Sequence, residues 1–234
     1  MHTLLLRLAA PLQSWGTSSH FEIRATDTYP SKSGVIGILA SALGRRRDDD
    51  LSDLTSLEFG IRVDQEGRVL RDFHTISHHK GDKELRYRNI KGGGHQYVTT
   101  RYYLADAVFL VGIASEDKSL LIRLEDALKN PVRPLFLGRR SNPPAGQLVF
   151  GLREGTVLET LSAEPWHASK WYQKKCEEEN KYTGTPTWLR IIVDADSTDK
   201  EAVALKDLPL SFNPDQRQHT FRLVKNHQIL ASVE

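Results

Sequence analysis

Two basic stretches without an acidic residue contain the side chains of this sequence that are best suited to specific chemistry. They cover residues 85–105 and 127–153. Their cations are Arg86, Arg88, Lys91 and Arg101 in the first and Lys129, Arg133, Arg139, Arg140 and Arg153 in the second. The formal net charge of the chain is only +2, so this excess is local. It predicts a polyanionic partner bound along a defined track, although a solvated surface accounts for any one of these charges.

The pair Arg139-Arg140 is the leading candidate in the second stretch. It follows Gly138, whose flexible backbone lets a loop present two guanidinium groups, and it precedes Ser141 and Asn142, which add hydrogen-bond donors. A guanidinium group suits bidentate contact with a phosphate and stacking on a base. We therefore predict that this loop contacts a nucleic-acid strand, and a structural ion pair is the alternative.

Three other side chains are candidates for the same track. Arg24 and Arg101 would add positive charge, and Trp15 would stack on a base. Stacking on an aromatic ring contributes about 1–3 kcal/mol per base. A buried Trp15 that packs the turn after Pro11 explains that residue equally well.

The segment from Pro30 to Gly44 predicts a helix whose N-terminus suits an anion. Ser31 and Ser33 are good N-caps, and Lys32 adds charge where the helix dipole is already positive. The order Ser-Lys-Ser-Gly lacks the Gly-x-x-x-x-Gly-Lys-Ser/Thr spacing of a P-loop, which disfavours a nucleoside triphosphate. The helix start is a candidate for a strand phosphate, and an ordinary capped core helix is the alternative.

The elements that must position these residues alternate between strands and helices. Amphipathic or apolar helices are predicted at residues 33–43 and 119–128, and strands at 2–8, 57–63, 68–76, 101–114 and 147–152. Residues 64–67 form a turn, so we expect the strand at 68–76 to return beside the strand at 57–63.

The segment Ser77–Thr99 is polar, basic and poor in aliphatic residues, which is typical of a functional insertion. With this insertion, the element order predicts a ferredoxin-like α+β domain over residues 1–154. Residues 155–234 form a small C-terminal region with strands expected at 187–193 and 219–224 and a polar stretch at 163–182.

The composition narrows the class of protein further. Hydrophobic residues are 39% of the 234 residues, enough for a sizeable core. Cys176 is the only cysteine, which rules out an internal disulfide and a cysteine zinc site and fits a reducing compartment. We recognise neither a signal peptide nor an apolar run of membrane-spanning length. We therefore expect a cytoplasmic protein that uses no membrane, no metal and no cofactor.

Six local motifs occur in order along residues 1–150, each weak alone and specific in combination. They are Pro11-Leu12-Gln13-Ser14-Trp15-Gly16, Pro30-Ser31-Lys32-Ser33-Gly34-Val35-Ile36-Gly37, Leu43-Gly44 with Arg47-Asp48-Asp49, Arg71-Asp72-Phe73-His74-Thr75, Thr100-Arg101-Tyr102-Tyr103-Leu104-Ala105-Asp106-Ala107, and Leu137-Gly138-Arg139-Arg140-Ser141-Asn142-Pro143. The combination resembles the CasD family, whose members are subunits of the subtype I-E CRISPR surveillance complex, Cascade, and belong to the RAMP superfamily. Beyond residue 150 the resemblance is thin.

The resemblance implies a ferredoxin-like (RAMP/RRM-like) fold with an inserted β-hairpin thumb, on which Arg86, Arg88 and Lys91 lie, and a small C-terminal β-rich extension. It implies a noncatalytic subunit in antiviral defence that binds and caps the 5′ handle of the CRISPR RNA. The expected partners are the CRISPR RNA, the Cascade backbone subunit and the large PAM-recognising subunit, with target DNA met only through the complex. The expected RNA-binding residues are Trp15, Arg24, Ser31, Lys32, Ser33, His74, Arg101, Arg139, Arg140 and Ser141.

His74 keeps a second interpretation open. In a related subtype, the CasD-like protein is a metal-independent RNA endonuclease that uses a His, a Lys and a Tyr, and the arm beside His74 carries Lys and Tyr residues. A general base needs a tuned pKa and positioned partners, neither of which a sequence reveals. We therefore favour binding or packing for His74. A metal site at His74, His78 and His79 is disfavoured, because no cysteine or suitably spaced carboxylate accompanies them.

Overall fold

The computed structural model describes residues 1–17, 22–77, 96–213 and 215–232. Within these ranges the fold is mixed α+β and is built on a seven-stranded antiparallel sheet and a second sheet of four strands. The large sheet contains, in spatial order, β10 (Val203–Ser211), β11 (Gln218–Leu230), β9 (Trp188–Asp194), β4 (Glu58–Gln65), β7 (Val108–Ser115), β1 (His2–Ala9) and β8 (Val149–Glu154).

Helices cover both faces of the large sheet. They are α1 (Lys32–Ala42), α2 (Ser52–Thr55), α3 (Lys118–Lys129), α4 (Val157–Ala163) and α5 (Lys170–Thr183). On β1, Leu4 and Leu6 share a core with α1 and α3, whereas Leu5 packs in a separate core with α4. Burial of both faces explains why β1 carries three consecutive leucines, Leu4 to Leu6, instead of alternating.

The second sheet is a long two-stranded hairpin with two short strands beside it. β5 (Arg68–Ser77) pairs antiparallel with β6 (Gln96–Ala105), and β2 (Leu12–Gln13) and β3 (Ile23–Arg24) also pair with β6. The expectation that residues 68–76 return beside residues 57–63 is wrong. Both edges of β4 are already occupied, one by β7 and the other by β9, so β5 finds its partner in the second sheet.

The single strand predicted at residues 101–114 is also wrong. The chain bends at Asp106, whose φ of 59° lies in the left-handed region, and this bend separates β6 from β7. Gly67 lies against the bend, since a Cβ atom at Gly67 would be 2.8 Å from the Cβ of Ala107. The apolar end of the predicted strand is nevertheless buried in the large sheet as β7.

The other predicted helices and strands are confirmed to within two residues, except that β11 ends six residues beyond the predicted 219–224, and the polar stretch at 163–182 contains α5. The division at residue 154 stays a prediction, and β9 pairs directly with β4 across it. Most of the predicted arm, including Arg86, Arg88 and Lys91, lies outside the described residues. Among the described helices, none combines the length and hydrophobicity that crossing a bilayer requires.

Candidate nucleic-acid interface

Backbone hydrogen bonds hold the loop that carries Arg139 in a closed conformation, and this loop packs against the turn at Ser14. The backbone N–H of Leu137 donates to the Asn142 carbonyl at 2.7 Å, and the N–H of Asn142 donates to the Arg139 carbonyl at 2.9 Å. Gly138 has a φ of 86°, and a Cβ atom there would lie only 1.6 Å from the Ser14 carbonyl oxygen. Glycine is therefore required at position 138, because only a residue without a side chain allows this approach.

The guanidinium group of Arg139 is held by an aromatic ring and a backbone carbonyl. Its Cζ atom lies 4.3 Å from the centroid of the Tyr103 ring, which is a cation–π contact. Its Nη2 atom donates to the Arg24 carbonyl at 2.9 Å. Its Nη1 atom is buried and has no hydrogen-bond partner in the described part of the chain. Arg139 is thus oriented by the protein, and its Nη1 group is left unpaired among the described residues.

Arg24 and Arg101 lie side by side next to this loop. They are register partners in the parallel pairing of β3 with β6, so their side chains leave the same face of the small sheet. Arg24 is exposed and Arg101 is half-buried. The Nε atom of Arg101 is buried and, among the described residues, has no hydrogen-bond partner.

We name Arg24, Arg101 and Arg139 the arginine surface. Arg140 and Ser141 continue it on the same loop and are both exposed. Buried donors are nearly always paired in proteins, so the Nε atom of Arg101 and the Nη1 atom of Arg139 need an acceptor that the described residues do not supply. A phosphate oxygen or the acceptor edge of a base has that chemistry.

His74 is on the same face of the hairpin as the arginine surface. Its register partner is Thr99, and Asp72, two residues before it, pairs with Arg101 across β5 and β6. The His74 Nε2 atom is 3.6 Å from a carboxylate oxygen of Asp72, and about half of both side chains is exposed. His78 and His79 lie outside the described residues.

Lys32 is not on this surface, so its RNA contact stays a prediction that its position in the structure does not support. The residue is only 5% exposed. Its ammonium group donates to the Leu57 carbonyl at 2.7 Å and to the Asp194 carboxylate at 2.9 Å. Its backbone N–H donates to the Asp207 carboxylate at 2.7 Å. The anions that meet this helix start are therefore carboxylates of the same chain.

The two serines at this helix start are also engaged inside the fold. Ser31 is the N-cap of α1, as predicted, and its hydroxyl accepts from the backbone N–H of Gly34 at 3.2 Å. The Ser33 hydroxyl is 3.2 Å from that of Ser31. Ser31 is buried and Ser33 is half-buried, so the alternative of an ordinary capped core helix describes this segment better.

Trp15 is likewise an interior residue and not an exposed stacking platform. It is 2% exposed, and its indole N–H donates to the Gln13 side chain at 3.0 Å. Its ring fills the space beside Gly34, where a Cβ atom would lie 2.9 Å from the ring. The alternative that Trp15 packs the turn therefore fits the structure.

Two features of this region were not found from the sequence. One is the supporting role of Tyr103, which only the pairing of the small sheet reveals. The other is a buried network in which Arg222 donates to Asp194 and Asp207. Burial opposes the charge of Arg222, but these carboxylates raise its pKa overall. Nothing in the sequence signals that residues so distant along the chain meet at the start of α1.

Comparisons with known proteins point to one group. The profile of the CRISPR-associated protein family Cas5 matches residues 3–225. The CRISPR system Cascade subunit CasD of Escherichia coli (strain K12) is 36% identical in an alignment of 162 residues that covers 63% of this chain and 70% of that protein. A structure described as a CRISPR RNA-guided surveillance complex has a chain with 33% identity and a TM-score of 0.76, covering 98% of this chain and 90% of that one. A crystal structure of a Cas protein has 34% identity and a TM-score of 0.69, covering 97% and 95%.

Proposed function

The chain belongs to the Cas5 family of CRISPR-associated proteins, and from that premise we propose that it is a noncatalytic subunit of a Cascade-type, subtype I-E surveillance complex that binds and caps the 5′ handle of the CRISPR RNA. The family match confirms the resemblance found in the sequence. The observation that carries the RNA-binding proposal is the arginine surface, where two buried guanidinium donors have no partner among the described residues.

An RNA handle is a short single strand, and such strands are held by phosphate contacts, by stacking and by hydrogen bonds to splayed bases. Arg24 and Arg101 supply adjacent positive charge on one face of the small sheet. Arg139 adds a guanidinium plane that Tyr103 already orients, so little side-chain freedom is lost when it binds. Arg140 and Ser141 extend the contact at the exposed end of the loop.

We infer that the half of the large sheet formed by β8, β1, β7 and β4 is a ferredoxin-like unit. When β1, β4, β7 and β8 are counted in chain order as the first to fourth strands, their spatial order is fourth, first, third, second, as in a ferredoxin-like β-α-β-β-α-β chain. The helices also fit this unit, since α1 follows β1 and α3 follows β7. The thumb of this unit would be the hairpin of β5 and β6. Its paired strands begin at residue 68 and end at residue 105, so the hairpin is longer than the predicted thumb at residues 77–99.

The proposal also assigns protein partners to the hairpin. The face opposite the arginine surface carries Ile23 and Phe73, which flank Thr100 in register, and Val98 lies on the same face. All three hydrophobic side chains are more than half exposed, Phe73 by 67%. Apolar surface of this kind marks protein contact sites. We assign it to the backbone and large subunits, which leaves the basic face for RNA.

The competing candidate is an RNA endonuclease that uses His74. Incubation of the full chain with labelled repeat RNA in a chelating buffer separates the two. The subunit proposal predicts binding with no cleavage, and His74→Ala should leave the RNA intact and still bound. A defined cut that disappears in His74→Ala would overturn the proposal and establish the endonuclease.

A further inference from the structure

A cavity lies at the end of the large sheet where β4 and β9 separate. Their backbone pairing runs from Gly60–Val193 to Val63–Arg190 and stops there, although β4 continues to Gln65 and β9 begins at Trp188. The space between the separated ends has a volume of about 280 Å³. This is slightly less than the roughly 300–1,000 Å³ of pockets that hold drug-sized ligands, so the space suits a single planar ring system.

Three aromatic and three charged residues line the cavity: Trp166, Tyr172, Trp188, Asp64, Glu66 and Arg190. The indole N–H of Trp166 donates to the Asp64 carbonyl at 2.6 Å, which fixes that ring. The Trp166 and Tyr172 rings are 6.3 Å apart in an edge-to-face arrangement. Trp188 is 52% exposed, so its ring is available to a ligand at the mouth. The walls formed by Trp166 and Tyr172 are therefore preformed.

The polar groups of the cavity are of both kinds. The Nε atom of Arg190 is buried and has no hydrogen-bond partner in the described part of the chain, and the guanidinium group is held over the Tyr29 ring, with Cζ 5.4 Å from the ring centroid. Glu66 is exposed and forms no ion pair with another described residue, so its carboxylate is a free acceptor. Asp64 is not available, because both of its carboxylate oxygens accept from Arg62, at 2.6 and 2.9 Å.

A ligand for this cavity must be flat, must stack on aromatic rings and must carry both donors and acceptors. A simple cation would meet Arg190, and a simple anion would meet Glu66. A nucleobase satisfies all of these conditions, since every base has a π-face and a hydrogen-bonding edge. We propose that the cavity binds one nucleobase, stacked on Trp188, with Arg190 donating to a ring acceptor and Glu66 accepting from an exocyclic amine.

The cavity is separate from the arginine surface, and the proposal goes beyond handle binding. Glu66 is two residues before β5, so the cavity adjoins the base of the hairpin. The base could belong to an unpaired RNA nucleotide or to a free nucleoside, and both present the same chemistry to the pocket. Uracil should bind least well, because it lacks the amine that Glu66 would accept from.

The test follows the indole N–H signals of the full-length chain by nuclear magnetic resonance. The chain has four tryptophans, so the spectrum is simple and contains its own reference. Adenosine, guanosine, cytidine and uridine are titrated separately, and then a short single-stranded RNA. We expect shifts of the Trp188 and Trp166 signals with the amine-bearing nucleosides, a weaker response to uridine and no shift of the buried Trp15.

Three variants complete the test. Trp188→Ala should weaken binding by about 5-fold to 150-fold, the loss that removal of one stacking ring causes. Phe221→Ala is the control, because Phe221 is 61% exposed and does not line the cavity, and it should bind as the parent does. Glu66→Gln alters only an exposed side chain and should reduce the preference over uridine, which tests the pocket even if Trp188→Ala folds poorly.

The outcomes are distinct. Binding of nucleosides and RNA with the same sensitivity to Trp188→Ala supports the pocket with an RNA base as its ligand, and binding of nucleosides alone supports it with a free nucleoside. The proposal is overturned if the Trp188 and Trp166 signals respond to none of these ligands. It is also overturned if Phe221→Ala weakens binding as much as Trp188→Ala. None of these results depends on handle binding at the arginine surface.

Discussion

Replacement of Lys32 by glutamate should unfold the protein, although a lysine at a helix start looks replaceable in the sequence. In the structure, the ammonium group is buried between the Leu57 carbonyl and the Asp194 carboxylate. The Lys32 backbone N–H is bound to Asp207, and both aspartates also accept from Arg222. A third carboxylate here would face two existing ones.

The magnitude follows from the contacts. Removal of one partner from a buried ion pair costs about 3–5 kcal/mol. Lys32→Met should lower the free energy of unfolding by about 3 kcal/mol, the low end of this range. The reason is that Asp194 still accepts hydrogen bonds from Arg222 and from the backbone N–H of Phe59, the latter at 3.0 Å. Lys32→Glu adds a like-charge repulsion of about 4 kcal/mol at 4 Å and an effective dielectric constant of about 20. The sum, about 7 kcal/mol, approaches the whole stability of a typical domain.

Urea denaturation followed by tryptophan fluorescence measures this effect. Lys32→Met should lower the midpoint by about 1 M or more, and Lys32→Glu should leave little folded protein. Lys118→Glu is the matched control, since Lys118 also begins a helix but is exposed, and its stability should change by no more than about 0.5 kcal/mol. A folded Lys32→Glu variant whose only defect is weaker RNA binding would refute the reasoning.

Two further predictions concern the Arg139 loop and a half-buried ion pair. Gly138→Ala should displace the loop from Ser14 and weaken RNA binding. Gly146→Ala is the control, because Gly146 has a φ of 74° but its nearest neighbour would be 3.7 Å from an added Cβ atom, so this variant should incur backbone strain of about 1–2 kcal/mol and still bind RNA. Equal RNA affinities of the two variants would contradict the packing argument. Hydrogen bonds from Arg45 lower the pKa of Asp53 below its ordinary 3.8, so the stability from this pair is present above that value and is lost as the pH falls further. The urea midpoint of Asp53→Asn should therefore fall less than that of the parent between about pH 6 and about pH 3, and an equal fall would show that the pair contributes nothing.

Local patterns predicted most of the elements of this fold. The apolar run of β1, the capped start of α1 and the amphipathic α3 are each determined by residues close in sequence. Strand pairing was harder, because it depends on which edges of a sheet are free. Residues 68–76 form a strand as predicted, but only the completed large sheet excludes them from the neighbourhood of β4.

The candidate site could be predicted only in part, because contacts between residues distant in the sequence decide which side chains are exposed. The loop at Arg139, which carries a glycine, two arginines and a serine in succession, indicated its exposed chemistry from the sequence alone. Lys32 and Trp15 have side chains that suit RNA, but tertiary contacts turn both inward, and those contacts come from β9, β10 and Gln13. The free donors of Arg101 and Arg139 are likewise a property of the folded chain.

The most direct test of the central claim is the salt dependence of the affinity of the full chain for a labelled 5′-handle RNA. Removal of one arginine–phosphate interaction should reduce the slope of log affinity against log salt by about 0.7 for a single strand. Arg139→Ala combined with Arg140→Ala should therefore lower the affinity and reduce the slope by up to about 1.4, while Arg123→Ala, which removes an exposed charge on α3, should change neither. An unchanged slope and affinity in the double variant would contradict the assignment of the RNA to the arginine surface.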